Sequence, residues 1–220
     1  FLKVMGYATG KYMTYLSADD KVDTSAYEKA IHILEDEKNQ DIVLVNSHIE
    51  IINNHSEHVY TKKYLFGKGR ISSYWGIRAN LIYGSNILGE PNGSVWRSTA
   101  YHSIPEPKFK NGNGWTNDLD LKLELLLLGN TYMIAEPLGK FRISEDSNSN
   151  LLMKSVQAKL FREYAFNLYR DKRYKLSFGW VILASVTSYI LQILRNVFYM
   201  IYIRKGKPPR VPAPVAGHAE

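Results

Sequence analysis

A short aromatic and apolar run that stops on two adjacent aspartates, "YMTYLSADDKVD" at residues 12 to 23, limits the fold more than any other stretch of this chain. Residues 12 to 16 have the alternation of a strand. Ser25-Ala26-Tyr27-Glu28 then has the capping-box pattern, and the helix it opens is predicted to run to about residue 37 with Ala30, Ile31 and Leu34 on one face. Strand, acidic turn and helix in that order belong to an α/β fold. Two neighbouring carboxylates repel each other and hydrate strongly, so Asp19 and Asp20 admit two readings. They are a solvated turn capping the next helix, or a clamp that offers carboxylate to a metal-bound nucleotide.

The pattern continues along the chain. "DIVLVNSHIEII" (41 to 52) is rich in β-branched residues and reads as a strand, with "VYTKKYLF" (59 to 66) as its antiparallel neighbour. Helical spacing returns at 71 to 82, before the turn-rich "GSNILGEPNGS". A second helix is predicted from near Asp118 through "LDLKLELLLL", with Gly129 as its stop. "TYMIAEPLGKFRIS" (131 to 144) reads as a strand broken by Pro137, and a helix follows from about 150 to 170.

Composition removes several chemistries. The chain has no cysteine, which excludes disulfides, a thiolate nucleophile and Cys-ligated metal sites. Its net charge of +7 is concentrated in the last third, beside an apolar run, and none of the nucleic-acid motifs is present. Anionic lipid head groups therefore fit the basic residues better than nucleic acid does. His32, His48, His55, His58 and His102 are scattered without a zinc-ligand spacing. The sequence opens on Phe1 with no signal segment, and reads as if it begins inside a domain whose N-terminal portion precedes it.

Four stretches in register carry a resemblance. "GKYMTYLSADDKVDTSAYEKAIHIL" resembles the segment of family 2 glycosyltransferases around their DxD motif. "GEPNGSVWRSTAY" (89 to 101) resembles the family's glycine-proline turn and arginine-bearing strand, "NDLDLKLELLLLGN" (117 to 130) its acidic helix start, and "AEPLGKFRISEDSNS" (135 to 149) its closing strand. The resemblance implies a partial GT-A fold with C-terminal helices and a catalytic domain over residues 1 to 149 that lacks its nucleobase-gripping half. It also implies inverting transfer of a sugar from a nucleotide-diphospho-sugar donor to a hydroxyl of a glycan or lipid-linked acceptor, in cell-surface glycan or polysaccharide synthesis, with Mg²⁺ or Mn²⁺ as cofactor.

Site roles follow position by position. Asp20 matches the metal-binding carboxylate, Asp19 the carboxylate facing the ribose, and Asp118 the general base. Ser17 stands where the triplet's first aspartate is common, and Ser144 where a closing histidine often sits. Asn92 and Gly93 of the turn, Trp115 ahead of the base and Arg142 on the closing strand are expected to contact substrate. Each has a plainer reading: Asp118 as a helix cap beside Thr116 and Asn117, Trp115 as packing, Arg142 as surface. Asp120, on another face of the helix, is expected to be structural.

The C-terminal region, residues 150 to 205, is the second constraint. "LSFGWVILASVTSYILQIL" (176 to 194) carries no charge and has nearly the length of a spanning helix. Ser185, Ser188, Gln192, Arg195, Tyr199 and Tyr202 would form a polar stripe, and basic residues flank both ends, so an interfacial helix at the cytoplasmic face of a membrane is favoured over a crossing. A buried helix at a soluble partner's interface is the plainer reading. Residues 206 to 220 are proline-rich and expected to be disordered. The competing function is a non-catalytic, membrane-docked binding module on a degenerate GT-A fold.

Overall fold

The computed structural model describes residues 5–108, 110–143 and 156–198. The expectations for Phe1, Ser144, Tyr199, Tyr202 and the 206–220 tail lie outside the described residues. The chain forms a mixed sheet of seven strands with helices against both faces. The strands are β1 (Tyr12–Thr14), β2 (Lys21–Val22), β3 (Ile42–Ile52), β4 (His58–Lys62), β5 (Gly69–Ile71), β6 (Ser94–Arg97) and β7 (Asn130–Arg142). The helices are α1 (Ser25–Glu35), α2 (Ser73–Tyr83), α3 (Ser98–Ser103), α4 (Asn117–Leu126), α5 (Val156–Arg170) and α6 (Phe178–Phe198).

The sheet runs β1-β6-β3-β7-β2. β3 is buried almost throughout, as befits a strand covered on both sides, and its polar Asn46, Ser47 and His48 are buried with hydrogen-bond partners. Its parallel partner is β7, and β4 and β6 pair antiparallel along its other edge. α1 packs Ala26, Ala30 and Leu34 against Ile42, Val45 and Val95. α4 packs Leu121 and Leu125 against Leu44 and Trp96. Leu119, Leu123 and Leu126 of α4 join a second core with Phe161, Tyr164 and Leu168 of α5 and Ala184 of α6, so the C-terminal helices share a core with the sheet's own helices.

Several local expectations are corrected. Ile31 is exposed, and Ala26 replaces it on the buried face of α1, the side that four-residue spacing from Ala30 selects. The N-cap position is Thr24, whose side chain makes no capping bond; the Asp23 carboxylate accepts from the Ser25 N–H at 2.9 Å. Pro137 does not break its strand. β7 runs through it because the ladder shifts register where Pro137 lies opposite His48, and a bulge is where a residue without an N–H is tolerated. Gly129 is no left-handed stop for α4, which ends at Leu126; a Cβ there would lie 2.6 Å from the Asp41 carbonyl oxygen and 2.5 Å from Val43. A left-handed glycine stop is found instead at Gly84, which ends α2 at φ 60° against the backbone of α6.

Candidate active site

The turn after β1 is closed by the Asp20 N–H donating to the Ser17 carbonyl at 3.2 Å. It is anchored from the far end of β7. The Arg142 N–H donates to Asp20 Oδ1 at 3.0 Å, and the Arg142 guanidinium donates to the carbonyls of Asp19 (2.8 Å), Asn53 (2.6 Å) and Asn54 (3.1 Å) and to Ser56 Oγ (3.1 Å). Arg142 thus staples three backbone segments together. Asp19 is exposed, whereas Asp20 is half-buried, and burial, helped by the charge of Asp19, pushes the Asp20 carboxyl up to about 6.

α4 carries the second carboxylate. The three expected caps are engaged elsewhere: Thr116 Oγ1 donates to Asn113 Oδ1, Asn117 Oδ1 accepts from the Gly114 N–H, and Asp118 Oδ2 accepts from Asn86 Nδ2 at 3.1 Å. Burial pushes the Asp118 carboxyl up and nearby Glu90 adds to it, while Lys122 one turn along the helix opposes both. Lys122 is itself buried and donates to the carbonyls of Leu88 and Gly89 and to Ser94 Oγ; burial pushes it down to about 8. Burial works against the Glu90 carboxylate too, but its ion pair with Lys62 at 2.8 Å holds it below the usual range. Asp120 turns away and accepts from the N–H groups of Asn111 and Gly112 and from the Tyr164 hydroxyl, a structural engagement.

Asp20 and Asp118 meet in one cavity of about 1030 Å³. Ser17 and Asp20 line it from the turn after β1, Tyr60, Lys62 and Tyr64 from β4 and the segment after it, and Asn86, Glu90, Trp115 and Asp118 from the segment before β6 and the start of α4. The C-terminal helices close it with Gln157 and Phe161 of α5 and Leu191, Gln192, Leu194 and Arg195 of α6. Arg195 reaches back to Gln157 Oε1 and Ser85 Oγ, both at 2.8 Å. Trp115 lines the cavity and also packs on the core under α4.

Four of the expected residues are elsewhere. Asp19 and Arg142 do not line the cavity, and neither do Asn92 and Gly93. Asn92 is buried, donating from Nδ2 to the Lys140 carbonyl at 3.0 Å. Gly93 gives the turn its close approach to β3, since a Cβ there would lie 2.6 Å from Ser47 Oγ. The turn's contribution to the cavity is instead Glu90 and Pro91. Glu90, Lys62, Asn86 and Lys122 were missed by sequence reasoning, although Glu90 lies in the singled-out "GEP" and Lys122 stands among leucines on a helix with no polar face.

Among the described residues no three His, Asp or Glu side chains gather into a metal cage. One half-buried carboxylate beside an open cavity suits Mg²⁺ or Mn²⁺ completed by phosphate oxygens, because such ions usually take one or two carboxylates and the substrate's own oxygens.

A mixed sheet with helices on it, and a cleft lined by a turn carboxylate and a helix-start carboxylate, has the partial GT-A fold. The solved structures bear this out. The fold is similar to S. aureus TarS 1-349 in complex with UDP-GlcNAc, at TM-score 0.54 and 10% identity over 93% of this chain and 53% of that one. S. aureus TarS 1-349 alone gives TM-score 0.50 at 9% identity over 93% and 51%. The chain therefore spans about half the length of the solved structures it matches. No protein-family model and no curated protein matches the sequence.

Proposed function

We propose that this chain is part of a family 2-like, inverting, metal-dependent glycosyltransferase acting at the cytoplasmic face of a membrane in cell-surface glycan or polysaccharide synthesis. The observation that carries the reading is the meeting of Asp20 and Asp118, from elements far apart in sequence, in one cavity of a glycosyltransferase fold. Asp118 is the general base. It takes the proton of the acceptor hydroxyl as that oxygen attacks the anomeric carbon, while the bond to the diphosphate breaks on the opposite face with its electron pair leaving on phosphate. A carboxylate that burial pushes above its ordinary range is a stronger base than a solvated one, and Lys122 favours its ionised form. Asp20, with the donor's diphosphate oxygens, would hold Mg²⁺ or Mn²⁺, which supplies neutralisation of the leaving group.

The membrane part of the proposal rests on α6. Over Phe178–Val197 it has the length and apolarity to cross a bilayer, yet its small and polar residues Ala184, Ser188 and Gln192 face the protein and its large apolar ones face out. An exposed apolar helix face marks a contact with membrane or protein, and the basic residues before the helix support the membrane reading.

TarS 1-349 was solved with UDP-GlcNAc, which makes that compound the first donor to try. Calorimetric titration of UDP-GlcNAc, other UDP-sugars and GDP-sugars with Mn²⁺ into the full-length protein, with Asp20→Ala alongside, tests the proposal. Metal-dependent binding lost in the variant is the expected result. Absence of binding by any donor would leave the second reading, a membrane-docked module with a degenerate site, which the engagement of the Arg142 guanidinium with three backbone carbonyls and Ser56 favours.

A further inference from the structure

The cavity holds a third carboxylate, Glu90, to which the proposed chemistry gives no part. Glu90 stands on the segment between α2 and β6, and that segment is latched to the start of α4. Asn86 Nδ2 donates to both the Gly89 carbonyl (3.0 Å) and Asp118 Oδ2 (3.1 Å), and Lys122 Nζ donates to the Gly89 carbonyl at 2.6 Å. The Glu90 carbonyl in turn accepts from Ser94 Oγ at 2.9 Å. The Glu90 backbone is therefore held in a fixed relation to Asp118.

Glu90 is also near both of the assigned carboxylates. Burial is the main cause that pushes the Asp118 and Asp20 carboxyls up, and the charge of Glu90 adds to the push on each. In a sugar transfer the anomeric carbon is bonded to the diphosphate at Asp20 and faces the hydroxyl at Asp118. A group on the cavity wall near both carboxylates faces the sugar attached to that carbon.

The ion pair that Glu90 makes does not use it up. Lys62 of β4 donates to Glu90 Oε1 at 2.8 Å, and among the described residues Oε2 receives no hydrogen bond. The Glu90 and Lys62 side chains keep 19% and 33% of their surface exposed, and both line the cavity. Lys62 Nζ lies 5.1 Å from the centre of the Tyr64 ring. Tyr64 lines the cavity too and is 7% exposed, yet its hydroxyl proton has no acceptor among the described residues. A buried donor without an acceptor is costly unless something arrives to supply one. An ion pair that only tied β4 to the turn before β6 would need neither the open carboxylate oxygen nor the idle hydroxyl beside it.

We propose that Glu90 and Lys62 select the donor sugar, gripping two adjacent hydroxyls of the sugar being transferred while Asp20 and Asp118 act at its anomeric carbon. This rests on the glycosyltransferase reading and names the residues that decide which sugar is moved. A hydroxyl both donates and accepts, so a carboxylate and an ammonium held side by side engage two neighbouring ones: the first donates to Glu90, the second accepts from Lys62. A sugar with one of those hydroxyls missing or inverted leaves one charge unanswered, and such a mismatch is what a polar pocket rejects most strongly.

Calorimetry on the full-length protein with Mn²⁺ tests this, using UDP-GlcNAc, UDP-glucose, UDP-galactose and GDP-mannose beside bare UDP and GDP. The quantity compared is the affinity for each sugar nucleotide divided by that for its own bare nucleotide, a ratio in which general damage to the fold cancels. For the sugar nucleotide that the wild type binds best, the ratio should fall about tenfold or more in Glu90→Gln, as expected for weakening a charge-assisted hydrogen bond. Lys62→Met should move it in the same direction, and the bare nucleotides should bind both variants as they bind the wild type. A wild-type ratio kept in either variant, or affinity lost equally for sugar nucleotide and bare nucleotide, would overturn the proposal and return the pair to a structural tie. The two readings fail in different ways. A wild type that binds neither UDP nor GDP removes the glycosyltransferase reading and this proposal with it, whereas nucleotide binding with unmoved ratios removes the sugar contact alone.

Discussion

The turn after β1 and the start of α4 each carry two aspartates, and in each place one lines the cavity while the other turns away. Their supports differ. Asp20 sits on a turn held by the Arg142 N–H and by the same arginine's guanidinium, which ties the turn to the loop at residues 53 to 56. Asp118 sits on a helix clamped from behind: Lys122 ties it to the turn before β6, and Glu124 receives a two-pronged ion pair from Arg173 at 2.7 and 2.9 Å. A carboxylate that shares a metal with an arriving diphosphate benefits from a segment able to adjust. One that must meet a hydroxyl at a fixed distance from the anomeric carbon benefits from a rigid mount.

The largest expected effect tests the rigid side. Asp118→Asn should lower sugar transfer by about 10²–10⁴-fold while calorimetric donor binding stays near that of the wild type. Loss of donor binding instead would mean that Asp118 belongs to the donor site, and the contrast between the two regions would collapse. On the adjustable side, Asp20→Ala should weaken Mn²⁺-dependent donor binding by more than the roughly 10–100-fold typical of a metal's outer partners. Asp19→Ala should leave it almost unchanged, since only the Asp19 backbone carbonyl is engaged with Arg142. Similar losses in both variants would restore the pairing of the two acids that the sequence implies.

Smaller effects bear on the clamp. Arg173→Met leaves Glu124, only 3% exposed, with the Tyr174 hydroxyl alone, and urea unfolding should show a loss of about 3 kcal/mol. Lys122 gives a pH signature. Its folded form gives up its proton at about 8, whereas the unfolded chain holds it to about 10.5, so between these values the unfolded state binds more protons and stability rises with pH. The contribution is at most about 1.4 kcal/mol per pH unit, and the wild-type rise should be absent in Lys122→Met when both are unfolded across this range.

Which of these features the sequence announces depends on how local their cause is. The strand character of β3 is written in its β-branched run, and α1 and α4 in their spacing, because one element's burial decides them. Asp20 and Asp118 stand out by residue type and order within the resembling stretches. Arg142 misleads because an arginine at a strand end looks free for phosphate until the loops at residues 53 to 56 fold over it. Glu90 and Lys122 were invisible for the opposite reason: a glutamate in a turn and a lysine in a helix read as solvated, and only the packing of α4 against that turn buries them together. Pro137 and Gly129 were read by their usual habits, and the parallel pairing across the sheet overrules both.

That pairing has a kinetic consequence. Asn46 and Thr131, bonded side by side on β3 and β7, are 85 residues apart along the chain. β4 and β6 occupy one edge of β3 soon after it is made, but the other edge stays open until β7 has left the ribosome. Such long-range parallel closure is slow, so the nascent chain carries an unpaired strand edge until β7 arrives, and that interval is when it is most prone to stick to its neighbours.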